Sequence, residues 1–246
     1  MNKIIAVIPA RGGSKGVPKK NILDVKGYPL IAYSIIGAKL SQYIERVIIS
    51  TDSEEIAEIA KKYGAEVPFL RPVEYASDKA LDIDWVKHAI YWLRAKENFI
   101  PELLIHLRPT TPLREVEYIN QAIEMIQKDE TATSLRSAHK MNEHPFKCFM
   151  LSQDKYWAGL LPKDEKVPEY YNLPRQSYPD AYQPNGYVDI LKPEYILKTD
   201  LLHGDKILAF ITKKVIELDD YEDYLEIKHH ITKSNKLYKS LKLNNL

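Results

Sequence analysis

The 246-residue chain has a single cysteine, Cys148. One thiol can form neither an internal disulfide nor a cysteine-rich zinc site, so a reducing compartment, the cytoplasm, is the expected location. Excess charge of either sign is missing too: 35 Lys and Arg stand against 34 Asp and Glu, for a formal net charge of +1. With no overall positive field to meet a phosphodiester backbone, nucleic acid is not expected as the main ligand. No apolar stretch approaches the ~20 residues that span a bilayer, and the amino-terminal run is cut by Pro9 and Arg11 before it completes a signal-peptide core. No membrane association is expected. What remains, 45% hydrophobic and 28% charged residues, fits one large globular domain or one domain with a smaller insertion.

Residues 4–8, Ile-Ile-Ala-Val-Ile, form a continuous branched apolar run, as expected of a strand buried on both faces of a parallel sheet. A polar, glycine-rich stretch and a helix over 30–40 follow. The unit repeats with a strand at 46–50 and a helix that Ser53, Glu54 and Glu55 start and Gly64 stops. A short strand at 66–70, a helix over 82–95, a strand at 103–107 and a helix over 115–127 continue the rhythm. The parallel pattern is expected to return at 187–191 and 207–211, with a last helix over 221–232 and a fraying basic tail over 233–246. This alternation predicts an α/β fold, Rossmann-like, with a mostly parallel sheet and helices on both faces. Between 139 and 184 prolines, tyrosines and short alternating runs replace it, which reads as a hairpin-like insertion. The expected division is residues 1–138 with 185–246 as one domain, and 139–184 as the insertion, whose irregular apolar surface suits a subunit interface or a loop cover.

Ligands of such sheets bind beyond the carboxyl ends of the strands, so the loop after the first strand matters most. There Ala10-Arg11-Gly12-Gly13-Ser14-Lys15-Gly16 runs on to Lys19-Lys20-Asn21. Three glycines let backbone approach a ligand, and Arg11, Lys15, Lys19 and Lys20 supply cations, a combination suited to a triphosphate. The spacing is neither that of a P-loop nor G-x-G-x-x-G. A solvated basic loop is the plain alternative.

Residues 8–21 match throughout the pattern Ile-Pro-Ala-Arg-Gly-Gly-Ser-Lys-Gly-x-Pro-x-Lys-Asn, and the chain thereby resembles the CMP-sialic acid synthetases, cytidylyltransferases that activate nine-carbon 2-keto-3-deoxy sugar acids. The resemblance extends to Ser50-Thr51-Asp52, Arg71-Pro72 with Asp78, Pro109-Thr110-Thr111-Pro112-Leu113-Arg114, His144-Pro145-Phe146-Lys147, Arg175-Gln176 and Tyr182-Gln183-Pro184-Asn185-Gly186. It implies a nucleotidyltransferase domain with a smaller dimerisation element, a homodimer, and Mg²⁺ as cofactor. The implied reaction joins CTP and a nonulosonic acid into a CMP-sugar and pyrophosphate. Arg11 and Lys20 are then the candidates for stabilising phosphate charge. Ala10, Gly12, Gly13, Ser14, Asn21, Arg71 and Ser77 are candidate nucleotide contacts, although a loop cap or surface ion pair explains Arg71, Ser77 and Asp78 equally well.

Magnesium needs one or two carboxylates beside phosphates and water. The resemblance places Asp219 there as metal ligand and catalytic residue, with Glu217 as a second ligand on the same side if the segment is extended. A helix-capping cluster is the alternative. Two departures touch the sugar site: Arg108 stands where the family carries Gln, and Asp189 where it carries Tyr. These two either pair with one another or read a different set of substituents, so legionaminate-like and pseudaminate-like sugars join N-acetylneuraminate as candidates. Arg108, Gln176, Asn185 and Asp189 are the expected substrate contacts, and the resemblance implies that Lys147 and Arg175 reach in from a neighbouring subunit. An enzyme of the same fold acting on an eight-carbon sugar acid or another nucleotide, and a non-catalytic nucleotide-sugar-binding protein, are the competing readings.

Overall fold

The computed structural model describes residues 3–161, 167–232 and 235–243. In chain order the elements are β1 (Ile4–Pro9), β2 (Asp24–Val25), β3 (Tyr28–Pro29), α1 (Leu30–Lys39), β4 (Arg46–Ser50), α2 (Glu54–Lys62), α3 (Asp82–Glu97), β5 (Leu103–His106) and α4 (Val116–Gln127). The second half holds β6 (Ser134–Lys140), β7 (Phe149–Leu151), β8 (Trp157–Gly159), β9 (Tyr182–Leu191), α5 (Pro193–Thr199), β10 (Ile207–Ile211), α6 (Tyr221–His230) and α7 (Lys236–Leu243). Six strands form one sheet in the order β10-β6-β9-β5-β1-β4.

The apolar run of β1 serves both faces. Ile4, Ala6 and Ile8 pack with α1, α2 and α4, while Ile5 and Val7 face α3 and α5 on the other side. Alternation along a strand sends neighbours to opposite faces, so a strand covered twice must be apolar at every position. Helix α1 is a similar case. Residues 30–38 are all buried, because the sheet lies on one side and Leu237 and Leu241 of α7 on the other. A helix apolar all round needs such double cover. The tail, read as a fraying end, is therefore an outer layer over residues 236–243; the remainder of that expectation, 233–234 and 244–246, lies outside the described residues.

Three further differences from the sequence expectation have physical causes. The strand expected to be parallel at 187–191 is the end of β9, which runs antiparallel to both β5 and β6. The chain leaves β6 and returns from the insertion without a crossover helix, and a strand reached that way must run back along its predecessor. Residues 66–70 make only one bridge, Ile48 with Glu66; Pro68 removes a donor from the ladder. Strand β6 and helix α5 have no counterpart in the sequence reading, since Ser134, Arg136, Ser137 and His139 hide the apolar signal of a central strand.

The insertion grows from the paired ends of β6 and β9, where the Met141 amide donates to the Ala181 carbonyl. It contains the antiparallel β7–β8 hairpin and a knot of rings in which His144 stacks on Tyr178 at 4.7 Å. Its hairpin exposes Phe149, Met150, Leu151, Tyr156 and Trp157, at 42–75% of their surface.

Candidate active site

Beyond the carboxyl ends of β1, β4 and β5 lies a cleft of about 470 Å³ lined by Arg11, Ser14, Lys15, Gly16, Lys20, Asn21, Arg71, Ser77, Asp78, Asp82, Arg108 and Asp219. Its floor is the loop after β1. The Ala10 amide donates to the Ser50 carbonyl at 2.9 Å and its side chain is fully buried, so Ala10 shapes the loop from beneath. The Gly12 amide donates to Asp52 Oδ1 at 2.8 Å, and Asn21 Nδ2 donates to the Arg11 carbonyl at 2.9 Å, tying the loop's two ends together. Gly16 lies against the chain's other end: a Cβ there would sit 2.5 Å from the Asp219 carbonyl oxygen. Only glycine permits that approach. At Gly13 no protein atom would crowd a Cβ, so the fold itself leaves this position open.

The cations of the cleft meet acids. Arg11 pairs with Asp78 at 3.0 Å and Lys15 with the same carboxylate at 2.6 Å. The Lys15 and Arg11 charges hold Asp78 below the usual carboxylate range. Lys20 donates to the Leu218 carbonyl at 2.8 Å and reaches Asp219 at 3.2 Å. Lys19 turns away to Glu55. Arg71 is buried and donates from Nε to Ser50 Oγ and from Nη2 to the Ser50 carbonyl. Its guanidinium rests 5.7 Å from the centre of the Trp85 ring. Burial brings its pKa down to about 10, which leaves it cationic at neutral pH. Ser77 Oγ donates to the Glu74 carbonyl at the rim.

Asp219 presents a carboxylate 81% exposed at the cleft edge. Glu217 does not share its direction. It accepts the Gly186 amide at 2.8 Å and lines a neighbouring groove of about 560 Å³ between residues 212–217 and α6. Residues 212–218 are not in a strand, so the alternation expected to align the two acids is absent. Among the described residues no cluster of three or more His, Cys, Asp or Glu side chains could enclose a metal ion. One exposed carboxylate beside a phosphate loop is nonetheless the donor set that magnesium uses when phosphates and water complete its shell. The larger groove mixes four acids with two lysines and has no glycine-rich backbone, which suits a triphosphate poorly.

At the cleft's other end Arg108 Nη1 meets Asp189 Oδ2 at 3.3 Å, and Nη2 meets Asp82 Oδ2 at 2.9 Å. The two departures therefore pair. Asp189 is 1% exposed; burial raises its pKa against the opposing pull of Arg108 and Arg136. Asn185 is also internal: it accepts from Ser137 Oγ at 2.8 Å and donates to Thr212 Oγ1 at 2.9 Å. Neither side chain is open to a ligand, a correction to their reading as direct sugar contacts. Lys147, Arg175 and Gln176 remain on the insertion. Lys147 lies over the Tyr178 ring, and Arg175 and Gln176 line a separate cavity of about 370 Å³. None of the three lines the cleft of its own chain.

A cytidylyltransferase family profile matches residues 5–173, which carry β1, its loop and most of the cleft. The chain belongs to the cytidylyltransferase family. It is a nucleotidyltransferase, and its curated relatives include enzymes named for N-acylneuraminic, legionaminic and pseudaminic acids. It is 35% identical over 234 residues to the N-acylneuraminate cytidylyltransferase of Escherichia coli, covering 95% of this chain and 52% of that protein. It is 32% identical to the CMP-N,N'-diacetyllegionaminic acid synthase of Campylobacter jejuni, over 96% of this chain and 97% of the relative. The pseudaminic acid cytidylyltransferase of the same organism is 32% identical, over 90% and 93%. The chain thus spans about half of the E. coli protein and nearly all of the Campylobacter ones. A solved structure of CMP:2-keto-3-deoxy-manno-octonic acid synthetase complexed with CTP superposes with a TM-score of 0.67 at 14% identity, covering 99% of this chain and 100% of that one, and so shares its fold.

Two residues of this cytidylyltransferase's cleft architecture escaped the sequence reading. Arg114 is wholly buried and donates to Ser34 Oγ and to the carbonyls of Arg108, Thr111, Gly186 and Tyr187. It thereby locks the loop after β5 to β9 beneath Arg108. Burial lowers its pKa to about 9. The Pro109-Thr110-Thr111-Pro112-Leu113-Arg114 run contains it, and a cation directly before a helix in an apolar setting is the available signal. Asp82 also lines the cleft, and its place at the first turn of α3 made it indistinguishable from an ordinary helix-start acid.

Proposed function

We propose that the chain transfers the cytidylyl group of CTP to the anomeric hydroxyl of a nine-carbon 2-keto-3-deoxy sugar acid. The hydroxyl oxygen forms a bond to the α-phosphorus, the bond to the β-phosphate oxygen breaks, and pyrophosphate leaves with the hydroxyl proton passing to water. The observation that carries this reading is the convergence of Arg11, Lys15, Lys20, Arg71 and Asp219 on one cleft above a glycine-rich floor. Phosphoryl-type transfer needs positioned charge rather than a protein nucleophile. Arg71 and Trp85 lie on the β4 side, where the base would rest. Arg11 and Lys20 face the triphosphate, and the arriving phosphates would take over the cations that Asp78 and Asp219 now hold.

Asp219 would hold a magnesium ion together with phosphate oxygens. When bound, that ion neutralises charge on the departing pyrophosphate. Glu217 is occupied with the Gly186 amide and is left out of this assignment. The exposed apolar hairpin supports a homodimer in which Lys147 and Arg175 of one subunit meet the sugar acid of the other. Mixing Arg175→Ala with Asp219→Asn protein should restore partial activity, because one site of each heterodimer carries neither lesion; no recovery despite subunit exchange would refute the shared site.

Among sugar acids we assign preference to legionaminate-type or pseudaminate-type substrates over N-acetylneuraminate. Support comes from the near-full-length Campylobacter relatives and from an arginine where the family places a neutral amide. The eight-carbon alternative rests on fold likeness alone. Pyrophosphate release measured with each of the four NTPs across a panel of sugar acids tests the whole reading. CTP with a nonulosonic acid should exceed every other combination. Higher kcat/KM with N-acetylneuraminate than with the other nine-carbon acids would overturn the preference, and no turnover with any would overturn the function.

A further inference from the structure

The sugar end of the cleft contains a carboxylate with no assigned task. Asp82 is the first residue of α3, yet it does not cap that helix: the Leu81 amide donates to Asp84 Oδ2 at 2.7 Å. The two oxygens of Asp82 point elsewhere. Oδ1 accepts from Trp85 Nε1 at 3.1 Å, and Oδ2 accepts from Arg108 Nη2 at 2.9 Å. One side of this carboxylate thus fixes the ring on which Arg71 rests, and the other fixes the guanidinium at the opposite end of the cleft. Arg108 in turn is held from behind by Asp189.

A guanidinium has five N–H donors. Two of Arg108's engage carboxylates, and its side chain keeps 25% of its surface exposed, so further donors remain for a ligand. The charge count decides which ligand group suits them. Arg108, Arg114 and Arg136 stand against Asp82, Asp189 and Glu217, with Arg136 3.7 Å from Asp189. This end of the cleft is balanced, so it favours a neutral acceptor such as an amide carbonyl or a hydroxyl over a second carboxylate.

We infer that Asp82 is a positioning residue that sets substrate choice, holding Arg108 neutralised and aimed so that it donates to an uncharged acceptor substituent of the sugar acid. The inference rests on the function proposed above and names a residue that function does not require. Without the carboxylate, Arg108 keeps only its rear anchor at Asp189, gains uncompensated charge and loses its aim. Burial would raise the Asp82 carboxyl, but the surrounding positive charge and the hydrogen bonds from Trp85 and Arg108 hold it below the usual range, so it is ionised at neutral pH.

The test compares full-length wild type, Asp82→Asn, Arg108→Gln and the double variant, using N,N'-diacetyllegionaminate and N-acetylneuraminate as probes with CTP. Asp82→Asn should shift the ratio of kcat/KM between the two sugars at least fivefold while KM for CTP changes less than threefold. The double variant should match Arg108→Gln alone, because Asp82 acts through Arg108. An unchanged ratio, or equal losses for both sugars, would overturn the inference, since a merely structural lesion lowers both alike. If wild type turns over neither sugar, the proposed function fails by itself. Calorimetric binding of the same two acids then decides on Asp82: a shifted affinity ratio in Asp82→Asn supports the inference, and an unchanged ratio refutes it.

Discussion

The two ends of the cleft are built on opposite electrostatic plans. At the phosphate end the ion pairs are open to water: Lys15 is 79% exposed, Asp78 44% and Asp219 81%. Such pairs contribute only about 0–1 kcal/mol each, so phosphate oxygens can replace the carboxylates at little cost. At the sugar end Asp189 is 1% exposed and Arg108 is clamped on two sides. Breaking a pair with a buried carboxylate such as Asp189 costs about 3–5 kcal/mol, so Arg108 stays anchored there while a ligand comes and goes. On the proposed function, one end exchanges partners on binding while the other keeps its partners and selects.

The sharpest way to break this contrast is at Arg114, beneath the fixed end. Arg114→Met should lower stability by about 3–5 kcal/mol, because it strands four buried carbonyls that now share one guanidinium. Urea unfolding reads this directly, and an unshifted midpoint would show that the sugar end is not rigidly held. Next in size is Lys20→Ala at the exchanging end. Turnover should fall about a hundredfold, the scale of losing one preorganised charge, with the melting temperature nearly unchanged. Equal loss of stability and turnover would erase the distinction between the two ends.

A smaller effect concerns pH. Burial, with Arg136 and Arg108 nearby, pushes His203 down from its ordinary 6.5 to about 4. The unfolded chain therefore takes up a proton that the folded chain refuses. The resulting stability is complete above about pH 6.5 and is lost as pH falls toward 4. His203→Gln should flatten the melting temperature against pH over that window, and a slope identical to wild type would remove His203 from the buried network. Smallest of all, Lys15→Ala should raise KM for CTP less than about tenfold and leave kcat alone, as befits a solvent-screened charge. A hundredfold change in kcat would mean that Lys15 acts as Lys20 does.

The same contrast explains what a single sequence could disclose. The phosphate end is written in consecutive letters: residues 8–21 run from the end of β1 through the loop that follows, and position after a buried strand suffices to mark them. Asp219 is a candidate through likeness of pattern, whereas its approach to Gly16 requires the fold. The sugar end is assembled across distance. Asp189 faces Arg108 only because β9 runs antiparallel between β5 and β6, and the strand reading had it parallel. Asn185 carried the right motif but spends its amide on Ser137 and Thr212. Glu217 failed for a related reason, since alternation applies only to extended backbone and residues 212–218 are not a strand. Most helices were legible from periodicity; α5 and the outer cover given by α7 were not, being short and defined by what they pack upon.

The contact between Gly16 and the Asp219 carbonyl also has a meaning in time. The Gly16 loop leaves a ribosome about 200 residues before the backbone it must touch, roughly 10–40 s at ordinary rates of synthesis. Through that interval Lys20 lacks the carboxylate that faces it, whereas Arg11 and Lys15 gain Asp78 much sooner. A chain cut shortly before Asp219 therefore carries the whole glycine-rich motif but neither the acid that meets Lys20 nor the backbone that packs on Gly16.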